Sequence, residues 1–183
     1  MKKRASKNNK RIYFLILRYI ILVLVALGNL FIFYFIFTPL TIYPVFFLLN
    51  LFFQVSLSGT TILLAGFPIK LVEACIAGSA YYLLLILNLT TPMPIKKRIF
   101  SIIFLFLSFL IINVLRIFFF SILLTKSFSL FNLTHLVFWY FLSAFIVFLI
   151  WFVNIKVFKM KEIPAYSDVQ FLYKNIRNIR NRN

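Results

Sequence analysis

The sequence predicts an all-α fold class, a polytopic bundle of transmembrane helices with about five apolar segments. Hydrophobic residues make up 63% of the 183 residues, and the mean hydropathy is +1.02. Both values are far above those of soluble domains. Because a bilayer core about 30 Å thick needs about 20 apolar residues per helix, the chain has room for one compact bundle and no soluble domain.

The basic residues stand mostly in clusters that flank the apolar segments, over residues 2–11, 96–98 and 156–182. In a soluble protein the net charge of +17 would indicate a nucleic-acid partner. Clusters at the ends of apolar segments are instead typical of membrane proteins, whose short cytoplasmic loops are rich in Lys and Arg. We therefore predict the anionic membrane surface as the partner of these clusters, and no nucleic acid.

The first half of the chain is predicted to hold a basic cytoplasmic tail and two spans. Residues 1–11 have too few apolar groups to fold alone and are expected to lie against lipid headgroups. A first span runs from residue 12 to 37, Pro39 and Pro44 then break the chain, and a second span covers residues 45–65. The run from residue 12 is too long for a cleavable signal and is expected to stay in the protein.

Three further spans complete the predicted transmembrane catalytic domain, residues 12–155. A turn at residues 66–70 leads into the third span, and prolines and polar links separate the others. These spans cover residues 73–89, 99–124 and 135–155. The remaining residues, 156–183, form a second basic tail with apolar residues spaced for a short interfacial helix.

Arg116 carries the strongest physical argument for a functional site. It stands about 18 residues into the fourth predicted span, which is about 26 Å along a helix. An arginine at the centre of a membrane helix costs about 2.5–3.5 kcal/mol, so an unpaired, lipid-facing position is unfavourable. Arg116 is therefore either a structural residue that snorkels or pairs with Glu73, or a donor that holds a substrate carbonyl and stabilises an oxyanion.

Cys75 and His135 are predicted to meet Arg116 at one face of the membrane. Cys75 opens the third span, Arg116 lies late in the fourth and His135 opens the fifth, and consecutive spans alternate in direction. A cysteine at a helix start with a histidine as its base is a candidate nucleophile. Since the cluster at residues 96–98 marks the cytoplasmic face, the three residues are expected near the extracytoplasmic face.

Glu73 and Asn113 are supporting candidates with several roles open. Glu73 caps the helix start, pairs with Arg116 or orients His135. Asn113, one turn before Arg116, forms hydrogen bonds between helices or supports the site. The chain has one Cys and one His, so an internal disulfide and a Cys/His zinc site are excluded, and we predict neither a metal nor a cofactor.

Five crossings conflict with the charge pattern, because an odd number places the two basic ends on opposite sides of the membrane. The positive-inside rule favours both ends in the cytoplasm. Either residues 39–66 fail to cross in the simple way, as a re-entrant or broken helix, or one basic tail lies outside.

Over residues 60–140 the chain resembles the exosortase/archaeosortase family, and looks like a short archaeal member. The resemblance rests on Glu73-Ala74-Cys75 after the turn at residues 66–69, on Asn113-Val114-Leu115-Arg116-Ile117, and on His135 at the start of the next helix. The family usually has Ser or Thr and then Gly directly after the Cys, whereas Ile76-Ala77-Gly78 follows here.

The resemblance implies a multi-pass membrane cysteine transpeptidase of the cell surface. Its substrates would be secreted proteins with a C-terminal sorting signal that includes a transmembrane helix, passed on to a lipid or another amine acceptor. Cys75 would be the nucleophile, Arg116 would orient the substrate and stabilise the oxyanion, and His135 would be the general base and acid. The alternative is a non-enzymatic membrane scaffold or transporter subunit with a structural Arg116–Glu73 pair.

Overall fold

The computed structural model describes residues 2–126, 143–160, 164, 166 and 168–173, with the backbone alone for residues 2–11, 14 and 126. Residues 168–173 are helical. The other helices and strands are α1 Lys2–Leu27, α2 Phe31–Asn50, β1 Val55–Ser58, β2 Thr61–Leu64, β3 Phe67–Lys70, α3 Glu73–Ile76, α4 Gly78–Thr90, α5 Ile95–Lys126 and α6 Ser143–Val157.

The fold is mainly helical, as predicted, and it is compatible with a membrane protein. Three helical stretches of the described chain are long and apolar enough to cross a bilayer: Phe31–Asn50, Glu73–Thr90 and Ile95–Thr125. Two shorter apolar helices cover Leu15–Leu27 and Ser143–Val157. The structure therefore does not confirm about five spans.

Helices α2, α4, α5 and α6 pack side by side, and their contacts fix their directions. The first half of α2 packs with Tyr81 of α4 and Phe109 of α5, and its second half packs with Val114 and Ile117 of α5, so α2 and α5 run the same way. Tyr81 contacts Phe109 while Asn88 binds Ser101, so α4 runs the opposite way. Helix α6 is also antiparallel to α5.

Aromatic rings fill the middle of this bundle. The ring of Tyr81 is fully buried, stacks on Phe37 with ring centroids 3.6 Å apart, and meets Phe109 edge-on at 4.8 Å. Such pairs each contribute about 0.5–1.5 kcal/mol beyond the area they bury. In lipid, where no hydrophobic effect drives helices together, this packing supplies much of the cohesion of the bundle.

One end of the bundle, which we call the basic end, holds the cluster at residues 96–98 together with both terminal regions. Arg98 caps α4 by donating to the carbonyls of Asn88, Leu89 and Thr91. The side chains of Arg18 in α1 and Asp168 in the C-terminal tail form a largely buried ion pair. Since Arg98 lies within electrostatic range of both, the two basic tails start from the same end of the bundle.

Residues 55–70 form a three-stranded antiparallel sheet in the order β1-β2-β3, so the predicted helical span over residues 45–65 and the purely helical fold class are wrong. Two-residue turns join the strands, since Ser58 pairs with Thr61 and Leu64 with Phe67. The turn residues have positive φ: Gly59 at +59°, Ala65 at +48° and Gly66 at +85°. These are the backbone conformations that tight hairpins require.

The sheet covers the end of the bundle opposite the basic end, which we call the sheet end. Ile62 and Leu64 of β2 are fully buried, while the intervening Leu63 is exposed. The buried face packs on Leu49 of α2 and Ile117 of α5. Alternate side chains of a strand point to opposite faces, so the Ser and Thr residues that weaken a helix here are the outer face of a half-buried sheet.

The breaks in the first half of the chain also differ from the prediction. Helix α1 begins at Lys2, within the predicted unfolded tail, because a helix that begins in an apolar run extends readily into Lys, Arg and Ala. The first predicted span is interrupted at residues 28–30, where Asn29 and Leu30 have positive φ. Pro39 and Pro44 lie inside α2 instead of ending it, which membrane helices tolerate.

Candidate active site

Cys75 lies in a one-turn helix between the sheet and the bundle. Helix α3 spans Glu73–Ile76, and Ala77, with φ of +59°, separates it from α4. The thiol is partly buried and packs against the apolar cluster beneath the sheet. The predicted helix start near Glu73 is correct, but four residues give little dipole support to the thiolate.

Asn113 fixes the backbone of this turn. Its side chain is 2% exposed, and Nδ2 donates to the carbonyl oxygen of Cys75 at 2.9 Å and to that of Ile76 at 3.5 Å. These carbonyls belong to the end of a one-turn helix and have no continuing helix to pair with. Asn113 therefore ties α5 to the segment that carries the thiol.

Arg116 lies one turn beyond Asn113 on the same helix and faces the bundle. Its Nη1 donates to Ser143 Oγ at 2.6 Å, which links α5 to the start of α6. The guanidinium lies within electrostatic range of the Cys75 thiol. The structure thus brings Cys75, Asn113 and Arg116 together toward the sheet end of the bundle.

An open cleft of about 650 Å³ lies beside this group, between α2, the α3–α4 segment, α5 and α6. Six of the eleven residues in its walls have small side chains, three are ionisable or aromatic, and two are larger aliphatic residues. The lining residues are Tyr34, Glu73, Ala74, Ala77, Ser79, Ala80, Leu83, Arg116, Ser143, Ala144 and Val147.

Glu73 and Arg116 line the same cleft without pairing. The ion pair found in the described part of the chain is Arg18–Asp168, and Arg116 uses its Nη1 on the neutral hydroxyl of Ser143. Glu73 is exposed and lies within electrostatic range of the Tyr34 phenol. The cleft therefore presents a carboxylate and a guanidinium that do not form a salt bridge.

The predicted role of His135 falls outside the described residues, which resume at position 143. Within residues 2–126, 143–160, 164, 166 and 168–173, no group of three or more His, Cys, Asp or Glu could hold a metal ion. The described side chains of the site thus comprise a guanidinium, a carboxylate, a phenol and two serine hydroxyls that line the cleft, and a thiol within electrostatic range of the guanidinium.

Tyr34, Ser143 and Gly78 are parts of this site that sequence reasoning missed. Tyr34 is an aromatic residue among the phenylalanines of an apolar helix, and Ser143 is a common small residue in another. The sequence around neither residue indicates a role in the site, because that role depends on contacts with other helices. The sequence predicts no role in the site for Gly78, although a glycine at the start of a helix can indicate close packing.

Gly78 provides a test of how tightly α2 packs on α4. A Cβ added at this position would lie 2.8 Å from Cε1 and 2.9 Å from Cζ of the Tyr34 ring. We therefore expect Gly78→Ala to lower the free energy of unfolding by about 1–3 kcal/mol, measured as a lower melting temperature of the purified protein in detergent.

Gly28→Ala is the matched control, since its added Cβ would meet no atom closer than 3.5 Å, and we expect it to be neutral or slightly stabilising. In the Gly78→Ala background, Tyr34→Leu should restore part of the loss and Tyr34→Phe should not, because the phenylalanine ring keeps the clash. Equal melting temperatures for Gly78→Ala and Gly28→Ala would contradict the packing described here.

Comparison of the chain with the known protein families, with curated proteins and with solved structures finds no match.

Proposed function

We propose that this protein is a membrane-embedded cysteine transpeptidase that cleaves the C-terminal sorting signal of secreted or surface proteins and transfers them to a membrane anchor. The observation that carries the proposal is the arrangement on α5. Asn113 holds the carbonyl of Cys75, and one turn later Arg116 faces a cleft within electrostatic range of the thiol. A nucleophile and a fixed cation beside an open cleft are the elements of acyl transfer.

In the proposed reaction the Cys75 sulfur attacks the carbonyl carbon of the scissile peptide bond. Negative charge develops on the carbonyl oxygen, and the N–H groups of Arg116 stabilise it. His135, the base and acid implied by the resemblance, takes the thiol proton and gives it to the leaving amine. The products of this half-reaction are a thioester on Cys75 and the released C-terminal helix of the substrate.

The cleft supports a substrate that arrives as a helix from the lipid. Most of the lining side chains are Ala or Ser, and small residues let two helix backbones approach closely in a membrane. In this proposal the basic end faces the cytoplasm, so Cys75 and the cleft lie toward the extracytoplasmic face. The peptide bond next to the substrate helix would then reach Cys75.

The direct test is to look for the acyl-enzyme at Cys75. We expect acid-quenched membranes from cells that contain the substrates to yield a Cys75 fragment carrying a peptide, identified by mass spectrometry and released by neutral hydroxylamine, which cleaves thioesters. The chain has one cysteine, so a thioester-linked peptide on this protein can be attached only at Cys75.

Two controls accompany that measurement. Cys75→Ala should carry no adduct, and Cys75→Ser should carry none that neutral hydroxylamine releases. A fatty acyl group on Cys75 would identify a lipidation site and contradict the proposal, as would a free thiol in every quenched sample.

A further inference from the structure

The charges in the cleft raise a question that thiol acylation alone does not answer. Arg116 has a role in the proposed first half-reaction, but Glu73 has none. Glu73 is one of three acidic residues in a chain with 20 Lys and Arg, and it lines the cleft without an ion-pair partner among the described side chains. Nor does its side chain cap α3, since the helix has no side-chain cap.

A carboxylate beside an apolar cleft attracts a cation. Arg116 in the same cleft binds Ser143 and forms no salt bridge with Glu73, and Lys70 at the end of β3 lies outside the cleft lining. Tyr34 adds an aromatic ring and a phenol oxygen on the same cleft, within electrostatic range of Glu73. A carboxylate, a phenol oxygen and an aromatic ring together suit an ammonium group, through charge, hydrogen bonds and cation–π attraction.

We infer that Glu73 and Tyr34 bind the primary ammonium group of the acyl acceptor in the cleft that Arg116 also lines. This inference rests on the function proposed above and assigns its second half-reaction. Arg116 would hold the carbonyl oxygen of the thioester while Glu73 holds the incoming amine, so the guanidinium and the carboxylate of the cleft would serve the two ends of one reacting complex.

The chemistry balances with Glu73 as the base. One proton of the bound ammonium passes to the Glu73 carboxylate, and the free amine attacks the thioester carbonyl carbon. The carbon–nitrogen bond forms, the carbon–sulfur bond breaks, and the second nitrogen proton goes to the departing Cys75 sulfur. The products are an amide, a thiol and a protonated Glu73, which returns its proton to water.

The ammonium group has two possible sources, the headgroup of an aminolipid or a soluble amine. The test therefore uses the full-length protein in three kinds of vesicle: phosphatidylcholine alone, phosphatidylcholine with phosphatidylethanolamine, and phosphatidylcholine with added ethanolamine. The acyl donor is a fluorescent N-acylglycine alkyl thioester. It acylates Cys75 by exchange and releases an alkyl thiol, and the products are counted as amide or as free acid.

The alkyl thiol released in the first turnover reports acylation of Cys75, in which Glu73 has no proposed role. We expect Glu73→Gln to lower the amide-to-acid ratio formed from that acyl-enzyme about tenfold or more, because the incoming amine loses its general base. Glu73→Asp should keep most of the ratio, and Tyr34→Phe should lower it less than Glu73→Gln does. Lys70→Gln removes one charge near the same end of the bundle but outside the cleft, and its ratio should equal that of the wild type.

The outcomes separate the inference from the proposed function. If thiol release is normal and Glu73→Gln leaves the ratio unchanged, the ammonium site is wrong while the acylation chemistry stands. If the wild-type protein is not acylated at Cys75, the proposed function fails and the inference fails with it. Amide formed with phosphatidylethanolamine identifies a lipid acceptor, and amide formed only with ethanolamine identifies a soluble one.

Discussion

We expect substitution of Cys75 by alanine to abolish processing of the proposed substrates while the protein still accumulates in the membrane. In hydrolases, removal of the nucleophile lowers the rate by roughly 10⁴–10⁶, so uncleaved precursors should replace mature substrates completely. The change is small structurally, because the thiol is only partly buried against the cluster beneath the sheet, and it should cost about 1 kcal/mol of stability. The measurement is a comparison of membrane proteomes for proteins that retain their C-terminal helix.

Asn113 provides the companion variant for that experiment. Asn113→Ala removes the hydrogen bonds to the carbonyls of Cys75 and Ile76 but leaves the thiol in place, so we expect reduced activity and not its complete loss. If the Cys75→Ala strain contains mature, cleaved substrates at the same level as the wild-type strain, the thiol mechanism is contradicted.

The bundle was predictable from the sequence where a signal is carried by many neighbouring residues. The long apolar run of α5 and the prolines between α4 and α5 were interpreted correctly, because lipid imposes the same demand on every residue of a span. Where an element depends on contacts from elsewhere in the chain, the local pattern was misleading. Pro39 and Pro44 are helix breakers in water but remain in α2, as prolines often do in membrane helices.

The sheet shows a second limit of the local pattern. Its strands are four residues long. Only β1 alternates apolar residues with serine, and β2 is mainly apolar, so the sequence also fits a weak membrane helix. Two features favour the sheet over a helix. One is the pair of tight turns at Gly59 and at Ala65–Gly66, and the other is an apolar surface at the end of the bundle that Ile62 and Leu64 cover. That surface exists only once α2 and α5 have packed.

The sheet and the position of the two terminal regions agree with one of the two explanations of the charge conflict that were open from the sequence. Residues 39–66 do not form one continuous helix. They comprise the second half of α2 and most of the sheet. With the Arg18–Asp168 pair joining the two terminal regions at the basic end, both tails begin on the side of the cluster at residues 96–98.

The candidate site was predictable to the extent that rare residue types mark it. Arg116, Glu73 and Cys75 are conspicuous because ionisable and thiol groups are few in apolar segments, and the structure places all three around or beside one cleft. Ser143 and Tyr34 were not predictable, because serine and tyrosine are ordinary in such helices. Their importance comes from residues on other helices, since Ser143 accepts a hydrogen bond from Arg116 and the ring of Tyr34 packs closely on Gly78.

Replacement of Arg116 by glutamine is the second change with a large expected effect, a loss of acylation rate of about 10²–10³ if its N–H groups stabilise the oxyanion. Arg116→Lys should recover little of this loss, because a single ammonium cannot reproduce the planar fork of donors. The rate is measured as alkyl thiol released from the N-acylglycine thioester, with the melting temperature recorded for each variant.

Ser143→Ala separates this catalytic role from a structural one. It removes the hydrogen bond between α5 and α6 but keeps the guanidinium, so an oxyanion-stabilising Arg116 predicts a modest effect, about tenfold or less, through looser positioning. If Arg116 serves only to join the helices, Ser143→Ala and Arg116→Gln should lower the rate and the melting temperature to the same degree.

If instead Arg116 and Glu73 act as a structural pair, the double variant Glu73→Gln/Arg116→Gln should regain the activity that Arg116→Gln loses. Because the two charges line one cleft without forming a salt bridge, we expect the double variant to be as inactive as Arg116→Gln alone.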